Sequence, residues 1–127
     1  SLSDQVMAKD NHLAVLTRGG KDLTTELRRV RGELPAGIKL EVEVDRLEQI
    51  PAVLAAGVDI IMLDNFNVED LKKGVELING KCVVEASGGV NLDTVGEIAK
   101  TGVDVISVGA LTHSARALDL GLDIKID

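Results

Sequence analysis

An α/β fold is what this 127-residue sequence predicts: five to six parallel strands with helices on their outer face. Three observations lead there. Apolar strand-like runs alternate with helical stripes along the chain. Two similar segments, AAGVDIIMLDNF (55–66) and KTGVDVISVGAL (100–111), each place a glycine after a helical stretch and a strand-like run after the glycine. Finally, the strand-like runs are apolar at alternate positions and polar between them, so each strand has two unlike faces.

In chain order, a strand is expected near 5–9, followed by a helix over 22–34, where Leu23, Leu27, Val30 and Leu34 recur at helical spacing. IKLEVEVD alternates as a strand over 38–45. A helix over 47–56 contains Pro51, which is tolerable only if the helix effectively starts near Ile50. A strand at 58–64, a helix at 68–79, a strand at 81–86, a helix at 92–101 and a strand at 103–108 follow, with a last short strand near 122–126. Asn67 and Asn91 stand where N-caps belong, and Gly57, Gly80 and Gly102 where a left-handed residue ends a helix. Links this short imply parallel strands with right-handed crossovers.

The strand faces select the architecture. One carries Val6, Ala8, Leu40, Val42, Val44, Ile61, Leu63, Val84, Ala86, Ile106 and Val108 and is apolar throughout. The other carries Lys9, Glu41, Glu43, Asp45, Asp64, Glu85, Ser87, Ser107 and Gly109, with Met7, Met62 and Val83 deeper in. A doubly wound sheet buries both faces and reads as continuous hydrophobic runs. Helices on one side and a polar interior toward the strand ends fit a partial parallel β/α (TIM-like) barrel instead. A closed eight-stranded barrel takes roughly 200 to 250 residues, so either the inner face is open here or the missing strands belong to the same protein. The start at Ser1, a few residues before a strand, reads as a piece of something longer.

Composition narrows the function. Phe66 is the only aromatic residue, so the core is aliphatic and stacking platforms for bases are lacking. A net charge of −7 argues against nucleic acid or an anionic membrane as partner. No apolar run approaches the roughly 20 residues of a spanning helix, and no signal peptide precedes the first element. Cys82, the one cysteine, lies in the apolar run CVVEA, is expected to be a small core residue, and suits a reducing cytoplasm.

In β/α barrels functional side chains project from the C-terminal strand ends, where this sequence gathers Lys9-Asp10-Asn11-His12, Glu43 and Asp45, Asp64-Asn65, Ser87-Gly88-Gly89, and Gly109 onward. Glu43 and Asp64 come from neighbouring strands, close enough to share a hard cation such as Mg2+ with substrate phosphates. A buried structural ion pair involving Glu41 or Glu43 is the competing reading, and spacing does not separate the two. ASGGVN (86–91) joins strand to helix through two glycines that let backbone N–H groups approach an anion at the helix N-terminus. VGALTHS (108–114) adds a second glycine and, in Thr112, His113 and Ser114, further donors.

The runs MAKDNH (7–12), EVEVDRLEQ (41–49), IIMLDNF (60–66), VEASGGV (84–90) and VDVISVGALTHSARALDLGLDI (103–124) closely resemble quinolinate phosphoribosyltransferases, the decarboxylating nicotinate-nucleotide pyrophosphorylases of NAD biosynthesis. The resemblance spans nearly the whole chain, which on that basis is the C-terminal part of the barrel. It implies that quinolinate and phosphoribosyl pyrophosphate give nicotinate mononucleotide, pyrophosphate and carbon dioxide, with Mg2+ carried by the pyrophosphate substrate. It also implies roles: Lys9 contacts the anionic substrates, Glu43 and Asp64 hold the magnesium and ribose hydroxyls, and Ser87, Gly88, Gly89, Gly109 and His113 surround the 5′-phosphate. Members of the family are roughly twice as long. Their N-terminal α/β domain and early barrel strands, whose basic residues grip quinolinate and cap the partner's barrel in a homodimer, have no counterpart in these 127 residues. Two alternatives stay open: a non-catalytic half-barrel that acts as a folding or assembly module, and a different phosphate-binding β/α barrel enzyme of the aldolase or thiamine-phosphate-synthase type.

Overall fold

The computed structural model describes residues 5–9, 22–108, 118–119 and 123–126. Strand β1 (Gln5–Lys9) precedes helix α1 (Leu23–Glu33), β2 (Lys39–Val44), a 3-10 turn (Leu47–Gln49) and α2 (Ile50–Ala55). Then come β3 (Ile60–Asp64), α3 (Val68–Ile78), β4 (Val83–Ser87), α4 (Val95–Ala99), β5 (Val105–Ile106), β6 (Leu118–Asp119) and β7 (Asp123–Ile126). They form one sheet in the order β5-β4-β3-β2-β1-β7-β6. β1 to β5 are parallel, as the short links require. The last strand does not continue that series: β7 lies antiparallel on β1, and β6 antiparallel on β7.

The local signals explain most boundaries. Asp22 caps α1 by accepting from Thr25 N at 2.7 Å, and Asn67 caps α3 by accepting from Asp70 N at 2.8 Å. Pro51 falls in the first turn of α2, where its missing N–H costs nothing. Gly57, Gly80 and Gly102 all have positive φ at helix ends. Helix α4 is shorter than the sequence suggests: the Asn91 side chain accepts from Asp93 N and Thr94 N, closing a turn of its own before the helix begins. β5 ends at Ile106, which leaves Val108, expected on the apolar face, 61 % exposed.

The four helices among the described residues cover a single face. Leu23, Leu27 and Val30 of α1, Ile50 and Val53 of α2, Leu71 and Ile78 of α3, and Ile98 of α4 share one cluster with the expected apolar side of the strands. Each such side chain contributes about 1.5–3 kcal/mol. Gly74 lets α3 lie close, because a Cβ there would stand 2.9 Å from Leu63 Cδ1.

The repeated GVD segments serve one purpose at the N-terminal strand ends. Asp59, entering β3, donates its N–H to Leu40 O and accepts from Leu40 N at 2.8 Å through Oδ2. Asp104, entering β5, does the same with Val84, its Oδ2 accepting from Val84 N at 2.8 Å. Each aspartate locks the start of its strand to the strand beside it. Arg31 adds to the first knot, donating to Asp59 Oδ1 at 3.2 Å and to Ile38 O at 3.1 Å.

Candidate active site

Strand register arranges the inner face in layers. Directly paired residues of parallel strands point the same way, so Lys9, Glu43, Met62, Glu85 and Val105 form one row across five strands. Below it run Met7, Glu41, Ile60 and Val83; above it, at the strand tips, Asp64 pairs with Ser87. Met62 is only 8 % exposed and floors the space between Glu43 and Glu85. Glu41 is 2 % exposed, a position for a structural carboxylate.

The tip of β3 and the tip of β4 are tied together. Ser87 Oγ donates to Asp64 Oδ1 at 3.2 Å, and Asn65 N donates to Ser87 O at 2.8 Å. Asn65 adopts a left-handed conformation, φ 59°, which bends the chain off the strand immediately after Asp64. Gly88 and Gly89 follow with φ 79° and 67°. A side chain at Gly88 has no room: its Cβ would lie 2.9 Å from Asn65 N and 3.0 Å from Asp64 Oδ1. The glycine therefore brings backbone against the carboxylate.

Of the residues expected to act, Glu43, Asp64, Ser87, Gly88 and Gly89 thus lie at the C-terminal end of one sheet face. Lys9 stands in register with Glu43 on that face. Gly109 and His113 fall outside the described residues. One expectation needs correction: the Gly-Gly turn does not abut a helix N-terminus, because the Asn91 turn separates it from α4. An anion there would meet loop N–H groups, since the Ser87 hydroxyl donates its one proton to Asp64. Sequence reasoning gave no role to Asn65 or to the Glu85–Ser107 hydrogen bond. Strand alternation puts Glu85 and Ser107 on the inner face, but their pairing depends on the register between β4 and β5.

Carboxylates, a hydroxyl and glycine N–H groups suit a sugar phosphate: anion donors at the rim, acceptors for hydroxyls or a cation behind them. Among the described residues no three His, Cys, Asp or Glu side chains assemble a metal cage. Glu43 and Asp64, on neighbouring strands, are oxygen donors of the type that a hydrated magnesium ion takes. The opposite end of the strands is different. A cleft of about 570 Å³ there is lined by Leu54, Val58, Asp59, Lys81, Cys82 and Asp104 among others, but its aspartates are engaged in the strand knots. Cys82 is partly buried against the core, as its apolar run suggested, and burial pushes its thiol pKa up, which makes it a poor nucleophile.

Parallel strands β1 to β5, helices on one face, and a carboxylate–serine–glycine cluster at the strand tips define a β/α-barrel-type segment. The chain belongs to the family described as quinolinate phosphoribosyl transferase, C-terminal domain, which matches residues 1–123. It is 42 % identical over 130 residues to a probable nicotinate-nucleotide pyrophosphorylase (carboxylating) of Methanocaldococcus jannaschii, covering 97 % of this chain and 44 % of that protein. It is 42 % identical over 126 residues to the nicotinate-nucleotide pyrophosphorylase (carboxylating) of Mycobacterium leprae, covering 97 % and 43 %. The crystal structure of nicotinate-nucleotide pyrophosphorylase from Ehrlichia chaffeensis superposes with a TM-score of 0.71 at 42 % identity, over 98 % of this chain and 44 % of that one. The chain thus spans less than half the length of these relatives.

Proposed function

We propose that the protein carrying this chain transfers the phosphoribosyl group of phosphoribosyl pyrophosphate to quinolinate with loss of carbon dioxide, giving nicotinate mononucleotide for NAD biosynthesis. On this reading residues 1–127 are the C-terminal part of the barrel and supply the phosphoribosyl half of the site. The observation that carries it is the register that puts Lys9 and Glu43 in one row and the Asp64–Ser87–Gly88 cluster just above it.

The chemistry follows from those positions. Departure of pyrophosphate from the anomeric carbon leaves an oxocarbenium-like centre, and the Glu43 and Asp64 carboxylates stabilise positive charge there. Lys9 offsets the charge of the anionic substrates. Ser87, Gly88 and Gly89, with Gly109 and His113, hold the 5′-phosphate so that the ribose lies over the carboxylates. Glu43 and Asp64 would hold Mg2+, which when bound would supply charge neutralisation for the leaving pyrophosphate. Bond formation to the quinolinate nitrogen makes it positive; the bond from the adjacent carbon to its carboxylate then breaks, the electron pair stays on that carbon beside the positive nitrogen, and a proton from water replaces the carbon dioxide that leaves.

Oligomeric state and location belong to the same proposal. The short edge strand β5, with Val105 44 % exposed on the inner face, favours association as a homodimer or larger homo-oligomer. The single thiol fits the cytoplasm, and no helix among the described residues is long and apolar enough to cross a membrane. The test is to supply the full-length protein with quinolinate, phosphoribosyl pyrophosphate and Mg2+ and measure nicotinate mononucleotide. Formation that requires both Glu43 and Asp64 supports the assignment; absence of the product overturns it.

A further inference from the structure

Ser107 Oγ donates to Glu85 Oε2, a contact that the proposed reaction leaves without a purpose. Three facts of geometry give it one. Glu85 shares a row with Glu43, the two flanking Met62; parallel-strand spacing puts their Cα atoms about 10 Å apart, within reach of two glutamates that converge on one small ring. Glu85 also lies one pleat below Ser87 on the same face of β4, about 6–7 Å along the strand. That separation matches the span from a 5′-phosphate to the ring hydroxyls of a pentose. Ser107 occupies one carboxylate oxygen and fixes the side chain, so the remaining oxygen is presented as an acceptor without the entropy cost of ordering a free glutamate.

From this we infer that Glu85, oriented by Ser107, accepts a hydrogen bond from a ribose hydroxyl and so helps the site distinguish a phosphorylated sugar from phosphate alone. A carboxylate directly beneath an anion site repels a second anion, which is why a hydroxyl and not another phosphate is the group that fits there. The inference rests on the phosphoribosyl reading above and adds one substrate-contacting residue, Glu85, and one positioning residue, Ser107.

Calorimetric titration of the full-length protein with ribose 5-phosphate and, separately, inorganic phosphate tests it. Glu85→Gln keeps the shape and an acceptor for Ser107 but removes the charge. It is expected to weaken ribose 5-phosphate by about 10-fold or more while leaving inorganic phosphate as tight as in wild type or tighter, since the repelling charge is gone. Ser107→Ala, which leaves Glu85 present but unheld, is expected to weaken ribose 5-phosphate by a smaller factor with phosphate unchanged; it carries the test alone if Glu85→Gln fails to fold. Equal weakening of both ligands, or no change in either, overturns the inference. Its failure differs from failure of the underlying reading: if Glu43→Gln abolishes nucleotide formation while Glu85→Gln leaves ribose 5-phosphate binding intact, only the role of Glu85 is lost. If Glu43→Gln has no effect on turnover, the phosphoribosyl assignment goes and this one with it.

Discussion

The two ends of the same five strands use carboxylates in opposite ways. At the N-terminal ends Asp59 and Asp104 spend their oxygens on backbone N–H groups, and Asp59 on Arg31 as well. At the C-terminal ends Asp64 and Glu85 are each steadied by a single serine hydroxyl and point over the inner face. A carboxylate bonded to the backbone of the neighbouring strand holds strands in register. One steadied by a hydroxyl retains acceptor capacity for a ligand. Residue type alone does not separate the two kinds of carboxylate; the kind of donor does, backbone N–H at one end and serine hydroxyl at the other.

The largest effect that would sharpen this contrast is on turnover. Glu43→Ala or Asp64→Ala in the full-length protein is expected to lower phosphoribosyl transfer by about 10²–10³-fold, with thermal unfolding little changed. Asp59→Ala is expected to do the reverse, destabilising the fold by about 1–3 kcal/mol in denaturant unfolding because it strands the Leu40 N–H, while transfer per folded molecule holds. If Asp59→Ala silenced turnover in fully folded protein, the division between the two ends would collapse.

Smaller effects probe the loop, the thiol and a cap. Gly88→Ala forces an L-residue to φ 79° at about 1–2 kcal/mol and pushes a methyl against Asp64, so phosphate affinity should fall more than stability does. Alkylation of Cys82 by iodoacetamide near pH 8 should be slower than that of a free thiol, with the gap narrowing as pH rises, because burial disfavours the thiolate. The least effect concerns Asp22. The backbone N–H of Thr25 holds its carboxyl below the ordinary value of 3.8, so its stabilisation of α1 is fully present above pH 3.8 and is lost as pH falls through the lower folded value. In thermal unfolding, the difference between wild type and Asp22→Ala should therefore shrink in that acid range.

Much of this was legible beforehand for identifiable reasons. Val42 and Glu43 point opposite ways because strand geometry permits nothing else, and Asn67 and Gly57 announced helix ends through their own backbone chemistry. The α4 boundary is not legible in the sequence because Asn91 caps a turn as readily as a helix, and the two outcomes have the same sequence signature. The GVD repeat was visible as a pattern, but its meaning was not, since a hydrogen bond from Leu40 to Asp59 exists only once β2 and β3 lie side by side.

By itself, the sequence determined the alternation of strands and helices, which strand face is apolar, and which residues carry acids, hydroxyls and glycines at the strand tips; these are properties of the local backbone period and of side-chain chemistry. Tertiary structure alone decided that Lys9 pairs in register with Glu43, that Ser87 reaches Asp64 while Ser107 reaches Glu85, and that β7 runs antiparallel on β1. Register and pairing are set by long-range packing, whose free energy depends on partners distant in the chain and is written in no single segment.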